Sequence, residues 1–158
     1  MKPPYLCIVT EYVPGGSLRQ LLENTAIKLP WAARLDLLRS AARGVAHLHA
    51  QQPPIVHRDL KPSNMLVEQL TTSSASLTPT TMTSAAPLTT SWNVKVADFG
   101  LARLKQDNAT MTSCGTPCWT APEVIRGRRY DEKADVYSFG IIMWQVATRR
   151  RPYDGRNF

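Results

Sequence analysis

His57-Arg58-Asp59-Leu60-Lys61-Pro62-Ser63-Asn64 is the stretch on which the reading of this chain turns. A lone His-Arg-Asp is an ordinary ion-paired surface turn. In this chain the Asp is followed by Lys61 and then by Asn64, and the loop runs directly into the apolar strand signal Met65–Val67. On the far side, Val94–Ala97 reads as a second short strand, and Asp98-Phe99-Gly100 follows it at once. Further on stand Ala121-Pro122-Glu123 and a long apolar helical segment, roughly Glu132 to Thr148, that carries Asp135. That segment is apolar nearly all round its middle, which predicts burial on every face.

Upstream, residues 5–10 are apolar and partly β-branched and predict a buried strand, ended by Pro14-Gly15-Gly16. Ser17 is placed to cap a short helix through Glu23 with Leu18, Leu21 and Leu22 inward. A longer helix follows Pro30, with Trp31, Leu35, Leu38, Ala42, Val45 and His49 as its expected inner stripe. Between the two short strands the composition changes. Residues 71–91 hold 8 Thr and 5 Ser among 21 positions and no charge, a low-complexity segment with no face to bury. Lengthening a connection from ~4 to ~26 residues costs only about 1.6 kcal/mol, so the strands can still pair across it.

Composition sets the outer bounds. With 43% hydrophobic and 20% charged residues, the 158-residue chain is of ordinary soluble globular type. Its longest apolar run, Phe139–Ala147, is interrupted by Gly140 and Gln145 and falls far short of the ~20 residues that span a bilayer. No signal peptide opens it, which predicts a cytoplasmic protein. Cys7, Cys114 and Cys118 are read as reduced thiols; the Cys114/Cys118 spacing is half of a zinc site at best. The formal charge of +7 gathers at Arg126, Arg128 and Arg129 and at Arg149, Arg150 and Arg151. No aromatic platform or nucleic-acid motif accompanies these clusters, so a solvated basic face is expected, with docking of an acidic partner as the alternative.

The ordered set His57-Arg58-Asp59…Asn64, Asp98-Phe99-Gly100 and Ala121-Pro122-Glu123 resembles the signature of eukaryotic protein kinases, over essentially the whole chain except the Thr/Ser segment. The surroundings Gly115–Glu123 and Asp135–Gly140 look most like the tyrosine-kinase-like group of Ser/Thr kinases, the Raf-like and mixed-lineage-like enzymes. The resemblance implies an α+β, protein-kinase-like fold, mainly the helical C-terminal lobe with its hinge strand. Residues 1–13 would be the last N-lobe strand and hinge, and 14–158 a truncated C-lobe in which 70–91 is an insertion. It implies ATP and Mg²⁺ as cofactors and Ser/Thr-bearing proteins as substrates, with no nucleic acid and no membrane segment.

Residue by residue, the resemblance makes Asp59 the group that takes or orients the acceptor's proton and Lys61 the cation beside the transferring phosphate. Asn64 and Asp98 become the Mg²⁺ ligands. Thr10, Glu11, Val13, Ser17 and Leu66 would meet the nucleotide: gatekeeper, two hinge contacts, ribose neighbour and adenine floor. Arg58 would pair with an activation-loop phosphate, with Thr110, Thr112, Ser113 and Thr116 as candidate acceptors. Thr120 would bond the catalytic Lys and Asp. His57 and Phe99 would pack together, Glu123 would take an arginine, and Asp135 would accept backbone hydrogen bonds from the His-Arg-Asp loop. Lysine at 61 is the Ser/Thr choice. No Gly-rich phosphate loop, strand lysine or partner glutamate precedes the hinge, so a partial domain, inactive alone, is expected; a non-catalytic, kinase-derived interaction module is the other reading.

Overall fold

A computed structural model describes residues 7–73, 88–99, 102–104 and 116–155. The elements run α1 (Leu18–Glu23), α2 (Trp31–His49), β1 (Ile55–Val56), a 3₁₀ turn (Pro62–Asn64), β2 (Met65–Ser73), β3 (Leu88–Val96), β4 (Arg103–Leu104), a second 3₁₀ turn (Pro117–Trp119), α3 (Pro122–Ile125) and α4 (Lys133–Thr148). This is the expected α+β mixture of few helices and little sheet.

Among the described residues, two antiparallel pairs make up the sheet structure. β1 pairs with β4, Ile55 opposite Leu104. β2 pairs with β3 in unbroken register from Met65↔Val96 out to Ser73↔Leu88. The ladder therefore extends beyond the two short strands predicted and takes in residues 70–73 and 88–91, which composition alone assigns to the insertion. Threonine is β-branched and suits a pleated ladder; in this segment its strand preference outweighs the absence of an apolar face. The remainder of the Thr/Ser segment lies outside the described residues.

The core forms where α1, α2 and α4 meet the β2–β3 hairpin. Leu18, Leu21 and Leu22 come from α1, Leu37, Ala41 and Val45 from α2, Leu60, Met65, Val67 and Val94 from the loop and hairpin, and Ile142 and Val146 from α4. On α2 the buried stripe is Ala33, Leu37, Ala41, Val45 and Leu48, turned from the one predicted: Trp31 is 60% and Leu35 44% exposed. The face that meets the hairpin is chosen by close approach rather than by bulk. A Cβ on Gly44 would lie 2.8 Å from Val96 Cγ2, so glycine belongs at that approach, and Trp31 and Leu35 turn outward. Trp31 covers part of the exposed face under the Arg34 guanidinium, 5.8 Å from its ring centre.

Two further expectations change. Residues 7–10 form no strand, and Ile8 and Val9 are more than nine-tenths exposed. A strand needs a neighbour for its backbone groups, and among the described residues none lies alongside. α4 is buried on one side through Ala134, Asp135, Ser138, Ile142, Gln145 and Val146, but Val136, Met143 and Trp144 on its other side are about half exposed. No helix among the described residues is long and apolar enough to cross a membrane.

Arg149 is not part of a solvated basic face. It ends α4 in the left-handed region, φ 56°, and its guanidinium reaches back to α1. Nε and Nη2 donate to Leu22 O at 3.1 and 3.0 Å, Nη2 also to Leu21 O at 3.1 Å and Asn24 O at 2.7 Å, and Nη1 to Ile27 O at 2.7 Å. One planar cation thus satisfies the carbonyls that the end of α1 leaves open. Arg149→Ala is expected to lower unfolding stability by about 2–3 kcal/mol, and Arg149→Lys by nearly as much, because a lysine cannot fork across these acceptors. Urea titration followed by circular dichroism checks both. Arg126, Arg128 and Arg129 are exposed as expected.

Candidate active site

The His57–Asn64 loop is fixed at both ends. At its start, the Asp135 carboxylate, 1% exposed in the first turn of α4, accepts the His57 N–H on Oδ2 at 2.8 Å and the Arg58 N–H on Oδ1 at 2.9 Å. The helix N-terminus favours a negative charge there. His49 Nε2 lies 2.8 Å from Asp135 Oδ2, a third partner that the sequence offers only as one member of a helix stripe. At the loop's end, Asn64 O accepts the Ala97 N–H at 2.9 Å, which ties the loop to the exit of β3. His57 is fully buried. Its Nδ1 faces the Asp59 N–H at 3.4 Å and its Nε2 faces Ala97 O at 3.1 Å. Those partners select the tautomer with its proton on Nε2. The ring centre is 5.5 Å from that of Phe99, the expected packing pair.

Held in this way, Asp59 becomes the centre of a cluster. Lys61 Nζ donates to Asp59 Oδ2 at 2.6 Å. Asn64 Nδ2 donates to Asp59 O at 2.9 Å and to Oδ2 at 3.1 Å. Both partners are acceptors, so the amide nitrogen must face Asp59, which leaves the Asn64 carbonyl oxygen for another ligand. The fourth member is Thr116: its hydroxyl donates to Asp59 Oδ1 at 2.9 Å and accepts from Lys61 Nζ at 2.8 Å. This corrects the expectation for Thr120, whose hydroxyl donates to Thr116 O at 2.8 Å instead. Thr116 precedes Pro117 and is therefore extended, φ −98° and ψ 119°. Its hydroxyl engagement also removes it from the set of freely presented phosphate acceptors. Thr110, Thr112 and Ser113 lie outside the described residues.

Arg58 and Asp98 both adopt positive φ, 71° and 64°. For non-glycine residues this is a strained conformation that the surroundings must hold in place. Asp98 is exposed, at the end of the β3 exit that Asn64 anchors.

The residues expected to meet the nucleotide lie around Leu66 and the segment before α1. Ser17 bridges to Leu66, and the Val67 N–H donates to Gly16 O at 2.8 Å. That close approach needs glycine: a Cβ on Gly15 would sit 2.1 Å from Val67 O, and Gly16 has φ +71°. The Ser17 hydroxyl caps α1 in a reciprocal box with Gln20. Val13 is buried, whereas Thr10 is exposed and Glu11 is ion-paired with Lys95 on β3. The Glu11 carboxylate, bonded to it, holds the Lys95 ammonium above its ordinary range. Glu123 sits in the first turn of α3.

The site thus consists of a loop hung from a buried helix aspartate, an aspartate clustered with lysine, asparagine and threonine, and a positive-φ Asp98 at the exit of β3. The family model of the protein kinase domain matches residues 1–157, and the chain belongs to that family. Its curated relatives carry serine/threonine names. It is 48% identical over 158 residues to a putative serine/threonine-protein kinase/receptor, R826, of Acanthamoeba polyphaga mimivirus, covering 100% of this chain and 8% of that protein. It is 50% identical over 153 residues to the probable serine/threonine-protein kinase drkA of Dictyostelium discoideum, covering 97% and 21%. With the serine/threonine-protein kinase CTR1 of Arabidopsis thaliana the identity is 41% over 160 residues, covering 99% and 17%. The chain thus spans about a fifth or less of the length of these relatives. Membership of the family implies ATP, a divalent metal ion and protein substrates.

Proposed function

We propose that these residues form the catalytic loop and substrate side of a protein kinase that moves the γ-phosphoryl group of ATP to serine or threonine hydroxyls of proteins. The observation that carries this reading is the four-way contact among Asp59, Lys61, Asn64 and Thr116. Phosphoryl transfer needs an aligned hydroxyl and neutralised charge more than covalent help. Asp59 is the group that accepts or orients the acceptor's proton. Lys61 holds a positive charge within 2.6 Å of that carboxylate, where it steadies Asp59 and is placed to meet a phosphoryl oxygen. Thr116 is a positioning residue: it bridges the two, and because it belongs to the segment that runs on to Trp119, it couples their alignment to the acceptor side.

The donors fit a magnesium ion. The Asn64 carbonyl oxygen, turned away from Asp59, and the Asp98 carboxylate are hard oxygen ligands, and Mg²⁺ is held by one or two such groups together with phosphate oxygens. When bound, the ion neutralises charge on the triphosphate. A cytoplasmic setting belongs to the same reading, supported by the free thiols of Cys7 and Cys118. A non-catalytic module derived from a kinase would have no use for the complete cluster.

Thr116 provides the test. In a form that carries a Gly-rich loop and strand lysine ahead of residue 1, Thr116→Val should lower kcat about tenfold or more with little change in the KM for ATP. Thr116→Ser, which keeps the hydroxyl, should restore most of the rate. A Thr116→Val enzyme as fast as the parent removes Thr116 from the mechanism.

A further inference from the structure

The β2–β3 ribbon ends in a repeat paired with itself. Leu70-Thr71-Thr72-Ser73 and Leu88-Thr89-Thr90-Ser91 are the same four residues, and they run antiparallel, Thr71 opposite Thr90 and Thr72 opposite Thr89. The register fixes which backbone groups face outward. The Val67 N–H leaves the ribbon to reach Gly16 O at 2.8 Å. The N–H of its partner Val94 leaves on the other side, to the Ser40 hydroxyl at 2.8 Å. Val67 and Val94 therefore exchange no backbone hydrogen bonds, and in an antiparallel ladder such pairs alternate with bonded ones. Gln69, Thr71 and Ser73 accordingly turn their N–H and C=O groups away from β3. Among the described residues no strand lies beside them. Gln69, Leu70 and Thr71 are exposed. From Gln69 to Ser73 there is no charge and no proline, the devices that commonly keep an edge strand from pairing.

We infer that this edge docks a second copy of the chain, β2 pairing antiparallel with its counterpart about a two-fold axis at Thr71. Parity selects the axis. The outward groups sit on odd-numbered residues, so Thr71 opposite its own counterpart also sets Gln69 opposite the counterpart of Ser73. Every rung then joins outward group to outward group. An axis at Leu70 or Thr72 would bring together groups that already face β3, and an axis between two residues would oppose an outward residue to an inward one. β3 has the same parity, but α2 packs beside it and Ser40 takes its edge at Val94. The repeat shows that this tetrapeptide accepts its own sequence as an antiparallel neighbour, with threonine on threonine at the middle rungs. Val67 lies four residues from the axis, so its two copies stand about 26 Å apart, and the helical bodies occupy opposite ends of a four-stranded sheet. Such a contact uses the same patch on both copies and closes as a dimer rather than a fibre. It also relieves the marginal stability of a two-stranded ribbon. Three rungs make a small interface, so the dimer is weak and reversible.

Analytical ultracentrifugation of the 158-residue chain, with the thiols kept reduced, reads the balance of monomer and dimer. The parent should pass from monomer towards dimer between about 5 and about 500 µM. Thr71→Pro separates this contact from others, because the N–H it removes faces outward. The β2–β3 ladder loses no bond, whereas the dimer loses both donors at its axis. Association should weaken about tenfold or more, with an unchanged circular dichroism spectrum. Thr71→Lys and Thr71→Glu each set like charge against like at the axis and should each sediment as monomers. Mixed in equal amounts they should form the dimer again, since lysine then meets glutamate. A parent that stays monomeric throughout, or a Thr71→Pro chain that associates as strongly as the parent, overturns the inference; the second outcome would point to another surface, such as the exposed Met143 and Trp144 of α4. So does a Lys and Glu mixture that associates no better than either variant alone.

Discussion

Replacing Asp59 with alanine, in a form that carries the nucleotide-binding front, should lower kcat by about three orders of magnitude and leave the Kd for Mg-ATP within about twofold. The carboxylate is bonded by Lys61 and Thr116 on its side-chain oxygens. In the proposed mechanism it stands at the acceptor end of the site, so its loss would remove proton handling and alignment and take nothing from the nucleotide's grip. Asp98→Ala should act in the opposite sense. Asp98 lies at the exit of β3, beyond the Ala97 N–H bond to Asn64, and in its proposed role as a metal ligand it would work through the Mg-nucleotide. Its loss should weaken Mg-ATP binding about tenfold or more. Calorimetric titration of both variants alongside their kcat checks the separation; equal effects on binding would remove it.

The second large effect is on stability. Asp135→Ala should cost about 3–5 kcal/mol of unfolding free energy, measured by urea titration. The side chain is 1% exposed, and its two oxygens take the His57 and Arg58 N–H groups and face His49 Nε2. Alanine strands the buried His57 and part-buried Arg58 backbone donors and takes away the partner of an imidazole. Asp135→Asn keeps the shape, but its NH₂ must turn toward one of the groups that donate, so it should recover less than half of the loss. A change below about 1 kcal/mol for alanine would show that the loop is held by other contacts. Because Arg58 is kept at φ 71° directly beside this anchor, any variant that frees the loop should relax that strain and lower activity with it.

How well the sequence forecasts each element depends on whether local chemistry alone decides it. The α1 cap is legible because Ser17 and Gln20 satisfy each other within one turn. The pairing of β2 with β3 is legible from two apolar runs, although its length is not, since the Thr-rich flanks read as linker by composition and as strand by branching. The inner face of α2 escapes a reading by bulk: burial follows Ala33, Ala41 and the close approach at Gly44, and small residues give little signal in a count of large apolar ones. The strand expected at residues 5–10 fails over its described part because strands form in pairs.

In the site, Asp59, Lys61 and Asn64 come together as their spacing implies. Thr116, expected among the phosphate acceptors, takes the place expected for Thr120. Proline supplies the signal that separates them: a threonine just before Pro117 is held extended, whereas Thr120 closes the short turn that Pro117 opens. The Arg149 clamp on α1 has no sequence signal, since its acceptors are backbone carbonyls more than a hundred residues away.

Acceptor specificity is the most direct test of the assignment. Matched peptides that differ only in carrying serine, threonine or tyrosine are incubated with Mg-ATP labelled on the γ-phosphate and the front-bearing enzyme, with the Asp59→Ala form run beside it. The proposed function predicts label on serine and threonine at rates at least about tenfold above tyrosine, falling to background with Asp59→Ala. Tyrosine as the favoured acceptor, or transfer that persists undiminished without the Asp59 carboxylate, would contradict the catalytic role of the Asp59–Lys61–Asn64–Thr116 cluster.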